Sequence, residues 1–308
     1  MGTPRARPPG GSGTAVLSRW ARFVAGSYPP LPSVAFAFLW AYGVSGLFAV
    51  VQPTHPAWRP GLGTLTAALT LTVTLLLMRA VDDIRDLAYD RAFNPRRPLA
   101  SGVVRERDLL VLCAAGAVLV LVLNAGRPAA LAVLAGQLLY CVLVLAADRA
   151  LDWPPGDRLL LSLLISFPAQ LLLHIYLYTR YLGDTGQSAG RGGVLAIVIT
   201  VLVTVHLEFA KKITRRLKPG ERSYVSTLGL GGTVAVALAA PVLSVLLLVT
   251  QARPEALLVP LALLPLLLPA RAGWRFFRAH APRWPAASAA YYVLSTFACY
   301  LALSLAYG

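Results

Sequence analysis

Nine apolar stretches, near positions 33–52, 61–82, 107–124, 128–147, 158–180, 193–212, 227–250, 255–272 and 286–306, occupy most of this 308-residue chain. Each is close to the length a helix needs to cross ~30 Å of hydrocarbon at 1.5 Å per residue. A hydrophobic fraction of 57% with only 13% charged residues lies outside the range of soluble domains. The expected fold is therefore an all-α integral membrane bundle of nine transmembrane helices with a cytoplasm-facing central cavity. Residues 31–308 form one domain in this reading, and 1–30 precede it. Residues 1–15 are rich in Pro and Gly and read as disordered, whereas 16–30, with Trp20 and Phe23 among arginines, read as a helix at the membrane interface. The fourth and eighth stretches are the least clean, and Pro168, Pro241, Pro260 and Pro265 predict kinks.

The net charge of +15 raises the question of nucleic acid, but the cations lie in short loops between apolar runs, with no aromatic-interleaved basic groove. Orientation explains them instead. With the N-terminus inside, 23 of the 28 Lys and Arg fall on the cytoplasmic side of a nine-span topology. That arrangement puts the loops around 79–107 and 211–226 on the cytoplasmic face and the C-terminus on the other. Cys113, Cys141 and Cys299 sit inside apolar stretches without metal-ligand spacing and read as small core residues.

The second stretch ends in the densest chemistry of the chain. Asp82, Asp83, Asp86 and Asp90 follow at offsets that share one face if the helix continues through Asp90, with Arg79 before them and Arg97 after. Carboxylates this close repel one another unless a cation lies among them, and clustered hard oxygens suit Mg²⁺. Magnesium commonly shares its shell with a substrate phosphate, so the cluster points to a diphosphate held through metal. A solvated, charged helix end is the competing reading, and the position directly after an apolar span weighs against it.

The order Asp82-Asp83-x-x-Asp86-x-x-x-Asp90, then Asn94-Pro95-x-Arg97-Pro98-x-x-Ser101-Gly102, resembles the first aspartate-rich motif of the UbiA-type intramembrane prenyltransferase superfamily. That family usually has Asn where this chain has Asp82. The sixth stretch ends in Glu208, Lys211, Lys212, Arg215 and Arg216, followed by Arg222 and Tyr224, and its cations are expected to run along two helical turns facing the aspartates. The family's second motif is Asp-x-x-x-Asp; here Glu208-x-x-x-Lys212 stands in its place, which bears on whether a second metal binds.

The resemblance implies Mg²⁺-dependent ionisation of an allylic isoprenyl diphosphate and transfer of the prenyl group to an aromatic or lipid acceptor. It assigns Asp83, Asp86, Asp90, Glu208 and Lys212 to catalysis and Asp82, Asp83, Asp86, Asp90 and Glu208 to metal. Arg79, Asp82, Arg97, Lys211, Arg215, Arg216, Arg222 and Tyr224 would bind substrate. A membrane terpene cyclase of the same fold would use the same ionisation. A transporter is disfavoured, because these charges sit at helix ends and not at the midplane. His174 reads either as cavity lining or as a helix-contact histidine, and the aromatic residues of the first and last stretches either shelter a cation or pack the core.

Overall fold

The computed structural model describes residues 12–52, 58–151, 153, 158–252 and 256–307. Among these the chain is helical apart from turns and one isolated bridge between Thr214 and Arg283. The helices are α1 (Ser12–Ser27), α2 (Pro30–Val51), α3 (Leu62–Arg85), α4 (Leu87–Phe93), α5 (Glu106–Leu123), α6 (Pro128–Leu151), α7 (Leu159–Thr185), α8 (Arg191–Ala210), α9 (Val225–Gln251), α10 (Leu258–Leu263), α11 (Leu267–Arg278) and α12 (Ala286–Tyr307).

Among the described residues, seven helices are long and apolar enough to cross a membrane: α2, α3, α6, α7, α8, α9 and α12. The fourth expected stretch is thus a clean 24-residue helix. The third, α5, is 18 residues long and opens on Glu106, Arg107 and Asp108. The eighth is split by a 3-10 turn, Leu264–Leu266, where Pro265 removes a donor between α10 and α11. By contrast α7 runs through Pro168 as one element, and the non-helical residue in α9 is Gly229, with φ 69°, not Pro241.

The N-terminal expectation divides. Residues 1–11 lie outside the described residues, as does Gly308, and α1 begins at Ser12, earlier than the composition suggested. Arg19 grips Asp108 with two hydrogen bonds of 2.7 and 3.0 Å, and the Trp20 indole donates to the Asp108 carbonyl. Phe23 is buried with Ala80, Ile84, Leu99, Val104 and Leu109. These contacts dock α1 over the start of α5, the end of α3 and the loop that follows α4.

In a bilayer, helix association relies on close packing more than on expulsion of water. α2 lies at the centre, against α3, α8 and α12. Gly43 and Gly46 permit the crossing with α12, where a Cβ at Gly43 would collide with the Phe297 backbone and one at Gly46 with Ser304. Asn124 ties α3, α5 and α7 together, donating to Thr70 and accepting from the Tyr176 hydroxyl, each at 2.9 Å. Such bonds contribute about 0.6 kcal/mol each in membranes; their larger effect is to fix helix rotation.

Candidate active site

At one end of the bundle a cavity of about 650 Å³ opens between α3, α4, α7 and the segment joining α8 to α9. One wall comes from the first acidic motif. Asp86 both ends α3 and precedes α4, with φ −88° and ψ 9°. The hydrogen-bond ladder nevertheless continues, from Asp86 N–H to the Asp82 carbonyl and from Asp90 N–H to the Asp86 carbonyl, both at 2.8 Å. The four-residue spacing therefore survives the joint, and Asp82, Asp86 and Asp90 all line the cavity.

Asp83 does not. Its side chain, 1% exposed, turns toward α1, where Ser27 Oγ donates to it at 2.7 Å, and pairs with Arg79, one turn earlier on α3, at 2.5 Å. Successive residues on a helix are about 100° apart, so a set including both Asp82 and Asp83 cannot share one narrow face. Arg97 bridges inward from the loop after α4, 2.5 Å from Asp90 and 3.5 Å from Asp83. Asn94 donates to the other Asp90 oxygen at 2.9 Å. Gly102, at φ 76°, supplies the left-handed residue that this loop needs.

The second wall departs from the expected helical ladder of cations. α8 stops at Ala210, because Arg215 N–H donates to Pro282 and the Ile213 carbonyl accepts from Trp284. These bonds draw residues 213–215 into an extended pairing and consume backbone groups that a helix would use. Arg215 consequently stacks on Phe276, 4.4 Å from the ring centroid, and neither it nor Arg216 lines the cavity. Glu208, Lys211, Lys212, Arg222 and Tyr224 do.

Glu208 accepts a 2.8 Å hydrogen bond from the Tyr224 hydroxyl and pairs with Lys211. Burial, then the Glu208 charge, pushes the Tyr224 phenol well above its ordinary range, so it stays a donor. Burial and the neighbouring Lys211 charge hold Lys212 below the usual ammonium range, against the pull of Glu208 and Asp86. Arg222 crosses between the walls: Nη1 lies 2.5 Å from Asp86, and the guanidinium covers the Tyr89 ring at 4.5 Å.

Several lining residues were not singled out from sequence. Ser162, Ser166 and Gln170 of α7 recur every four residues in an apolar span, a polar stripe readable at helical spacing. Arg283, which pairs with Glu221 at 2.7 Å, arrives by tertiary folding alone. His174 lies one turn beyond Gln170, fully buried against Trp40, with Nδ1 2.9 Å from the Gln170 carbonyl. It is a helix-contact histidine.

No family model and no curated protein sequence matches the chain. Solved structures do. A UbiA homologue from Aeropyrum pernix K1 superposes over 89% of this chain and 95% of its own, at 20% identity and a TM-score of 0.58. A UbiA homologue from Archaeoglobus fulgidus, bound to DMAPP and Mg²⁺, does so over 93% and 97%, at 15% identity and 0.59. The chain has the UbiA fold. At these identities the likeness speaks for the arrangement of helices, and in that UbiA fold the chain brings two charged walls to one mouth.

The fit of a magnesium ion follows from the donors. Among the described residues, no three His, Cys, Asp or Glu side chains converge closely enough to enclose a metal. Magnesium needs less, since one or two carboxylates plus substrate phosphates usually complete its shell. Asp82 and Asp86, one turn apart on the cavity wall, supply two such carboxylates.

Proposed function

We propose that this chain is a magnesium-dependent intramembrane prenyltransferase of the UbiA superfamily, which ionises an allylic isoprenoid diphosphate and passes the prenyl group to an acceptor. The observation that carries this reading is the facing of Asp82, Asp86 and Asp90 by Lys211, Lys212 and Arg222 across one cavity. The A. fulgidus neighbour, bound to DMAPP and Mg²⁺, supports it.

In this mechanism Asp82 and Asp86 would hold the metal with Asp90 beside them, and Lys211, Lys212 and Arg222 would receive the diphosphate oxygens. Magnesium, when bound, would supply further positive charge to the leaving group. The allylic C–O bond breaks heterolytically; the diphosphate keeps the electron pair, and fixed cations already aimed at its oxygens stabilise that charge as it develops. The acceptor then bonds to the allylic carbon and loses a proton. Tyr224, held by Glu208, offers its hydroxyl edge to the cavity as a positioning group.

We place nine crossings in the membrane, with α5 and the broken α10–α11 unit completing the seven long spans. The cavity opens to the cytoplasm on the strength of the charge asymmetry. Incubating purified protein with Mg²⁺, prenyl diphosphates and aromatic or lipid acceptors tests the chemistry. Prenylated acceptor and released diphosphate are expected; a cyclised hydrocarbon would indicate a terpene cyclase, and no diphosphate release would overturn both readings. Labelling of an engineered cysteine at position 94 or 220 from outside intact cells would overturn the orientation.

A further inference from the structure

A substrate whose diphosphate sits between the two walls must put its hydrocarbon chain somewhere apolar. The centre of the bundle beneath the cavity is filled. His174 packs on Trp40 with ring centroids 5.1 Å apart, Trp40 stacks on Phe297 at 6.5 Å, and all three side chains are buried.

A sideways path exists instead. Met78, Asp82, Arg85 and Ser166 belong both to the charged cavity and to a small crevice between α3, α6 and α7. That crevice shares Met78, Val81 and Cys141 with a larger pocket of about 250 Å³ between α3, α5 and α6. The larger pocket is apolar, walled by side chains such as Leu77, Cys113, Ala117 and Leu145. It borders the outer face of the bundle, where Val142 and Leu110 are exposed. From Asp82 to Thr74 at its far end, α3 rises about 12 Å.

Two buried polar side chains line this space, Thr74, whose hydroxyl donates to the Thr70 carbonyl, and Gln137. Gln137 is 1% exposed, its amide N–H donates to Cys141 Sγ, and its Oε1 has no partner. It lies a helical turn beyond Cys141, on the side away from the aspartates. A hydrocarbon packed against it would keep that already shielded oxygen from reaching any donor, which is unfavourable.

We propose that the isoprenoid chain leaves the charged cavity between α3, α6 and α7 and lies in the α3–α5–α6 pocket, with Gln137 limiting its length. This inference rests on the function proposed above and deepens it, making Met78 and Cys141 the throat and Gln137 the stop. Each added isoprene unit gains affinity by leaving water until the chain meets Gln137.

The test is calorimetric titration of the purified protein, with Mg²⁺, by inorganic diphosphate and by dimethylallyl, geranyl, farnesyl and geranylgeranyl diphosphates. Cys141→Trp narrows the throat and is expected to lower the geranylgeranyl-to-dimethylallyl affinity ratio roughly tenfold, with inorganic diphosphate binding as in the wild type. Gln137→Leu removes the stop and is expected to raise the geranylgeranyl-to-geranyl ratio, so a folding defect in either variant leaves the other informative. Wild-type ratios in a variant that still binds inorganic diphosphate would overturn the route. A wild-type protein that binds no prenyl diphosphate would overturn the proposed function instead.

Discussion

Arg222 closes on Asp86: Nη1 lies 2.5 Å from Oδ1, although 136 residues separate the two in the chain. The contact joins the loop between α8 and α9 to the junction of α3 and α4. The Tyr89 hydroxyl reinforces it by accepting from the Arg222 backbone N–H at 3.3 Å. A cation bound by Asp86 competes with Arg222, and a diphosphate offers Arg222 a replacement partner. The two ligands should therefore bind better together than apart.

Arg222→Ala tests that exchange. Removing the guanidinium should tighten Mn²⁺ binding in the absence of substrate about two- to fivefold, the scale of a part-exposed ion pair. It should also weaken diphosphate binding roughly tenfold or more, since charge-assisted bonds to phosphate are lost. Electron paramagnetic resonance of Mn²⁺ and a parallel diphosphate titration read the two effects. Weakening of both ligands alike would assign Arg222 to loop structure.

The acidic motif should separate into two classes. Asp82→Ala should leave the thermal midpoint near that of the wild type and Asp86→Ala should lower it only slightly, its pair with Arg222 being part-exposed, while both abolish diphosphate release. Asp83→Ala strips Arg79 of its buried partner and removes one of the two contacts of Arg97. It should cost on the order of 1–3 kcal/mol of stability, the arginines being part-exposed. Melting in detergent, followed beside turnover, distinguishes the classes, and an Asp83→Ala protein as stable as the wild type would contradict this division.

Lys212 should make diphosphate binding sensitive to alkaline pH. Burial and Lys211 lower its pKa from the ordinary lysine value, so the ammonium loses its proton earlier than a solvated lysine as pH rises. Affinity should be full below that pKa and fall as pH climbs through it. A bound dianion favours the charged form, so binding above that point should take up a proton, measurable as a buffer-dependent enthalpy. Lys212→Arg, whose guanidinium remains protonated, should move the decline to higher pH. An unchanged profile in Lys212→Arg would exclude Lys212 from the anion site.

How far these features were legible in the sequence depends on which force set them. The membrane dictates long apolar helices, so α2, α3, α6 and α12 match their runs to within a few residues. The spacing of Asp82, Asp86 and Asp90 survives because the backbone ladder crosses the α3–α4 joint. What a linear reading missed is tertiary. Helical periodicity extended α8 through Arg216, whereas the pairing of Thr214 with Arg283 stops it at Ala210. Asp83 was grouped with its neighbours because α1, whose Ser27 claims it, lies 56 residues earlier. Nothing local in either segment announces those contacts.

The number of metal ions per turnover follows from Glu208 and Lys212. Glu208 is held by Tyr224 and Lys211, and a lysine stands four residues on, where a second carboxylate would otherwise complete a pair. An ammonium can offset phosphate charge but cannot enter a metal's coordination shell. One Mn²⁺ per protein is therefore expected in the presence of a non-ionisable prenyl diphosphate analogue, bound on the Asp82–Asp86 wall. Tyr224→Phe should leave that count unchanged and raise the KM for the prenyl diphosphate through loss of Glu208 orientation. Lys212→Asp should admit a second Mn²⁺ at high concentration, because two carboxylates one turn apart then face the anion from the α8 side. Two Mn²⁺ ions in the wild-type protein would show that Glu208 gives up its tyrosine to bind metal, and that the fixed cations are supplements to a second ion instead of its replacement.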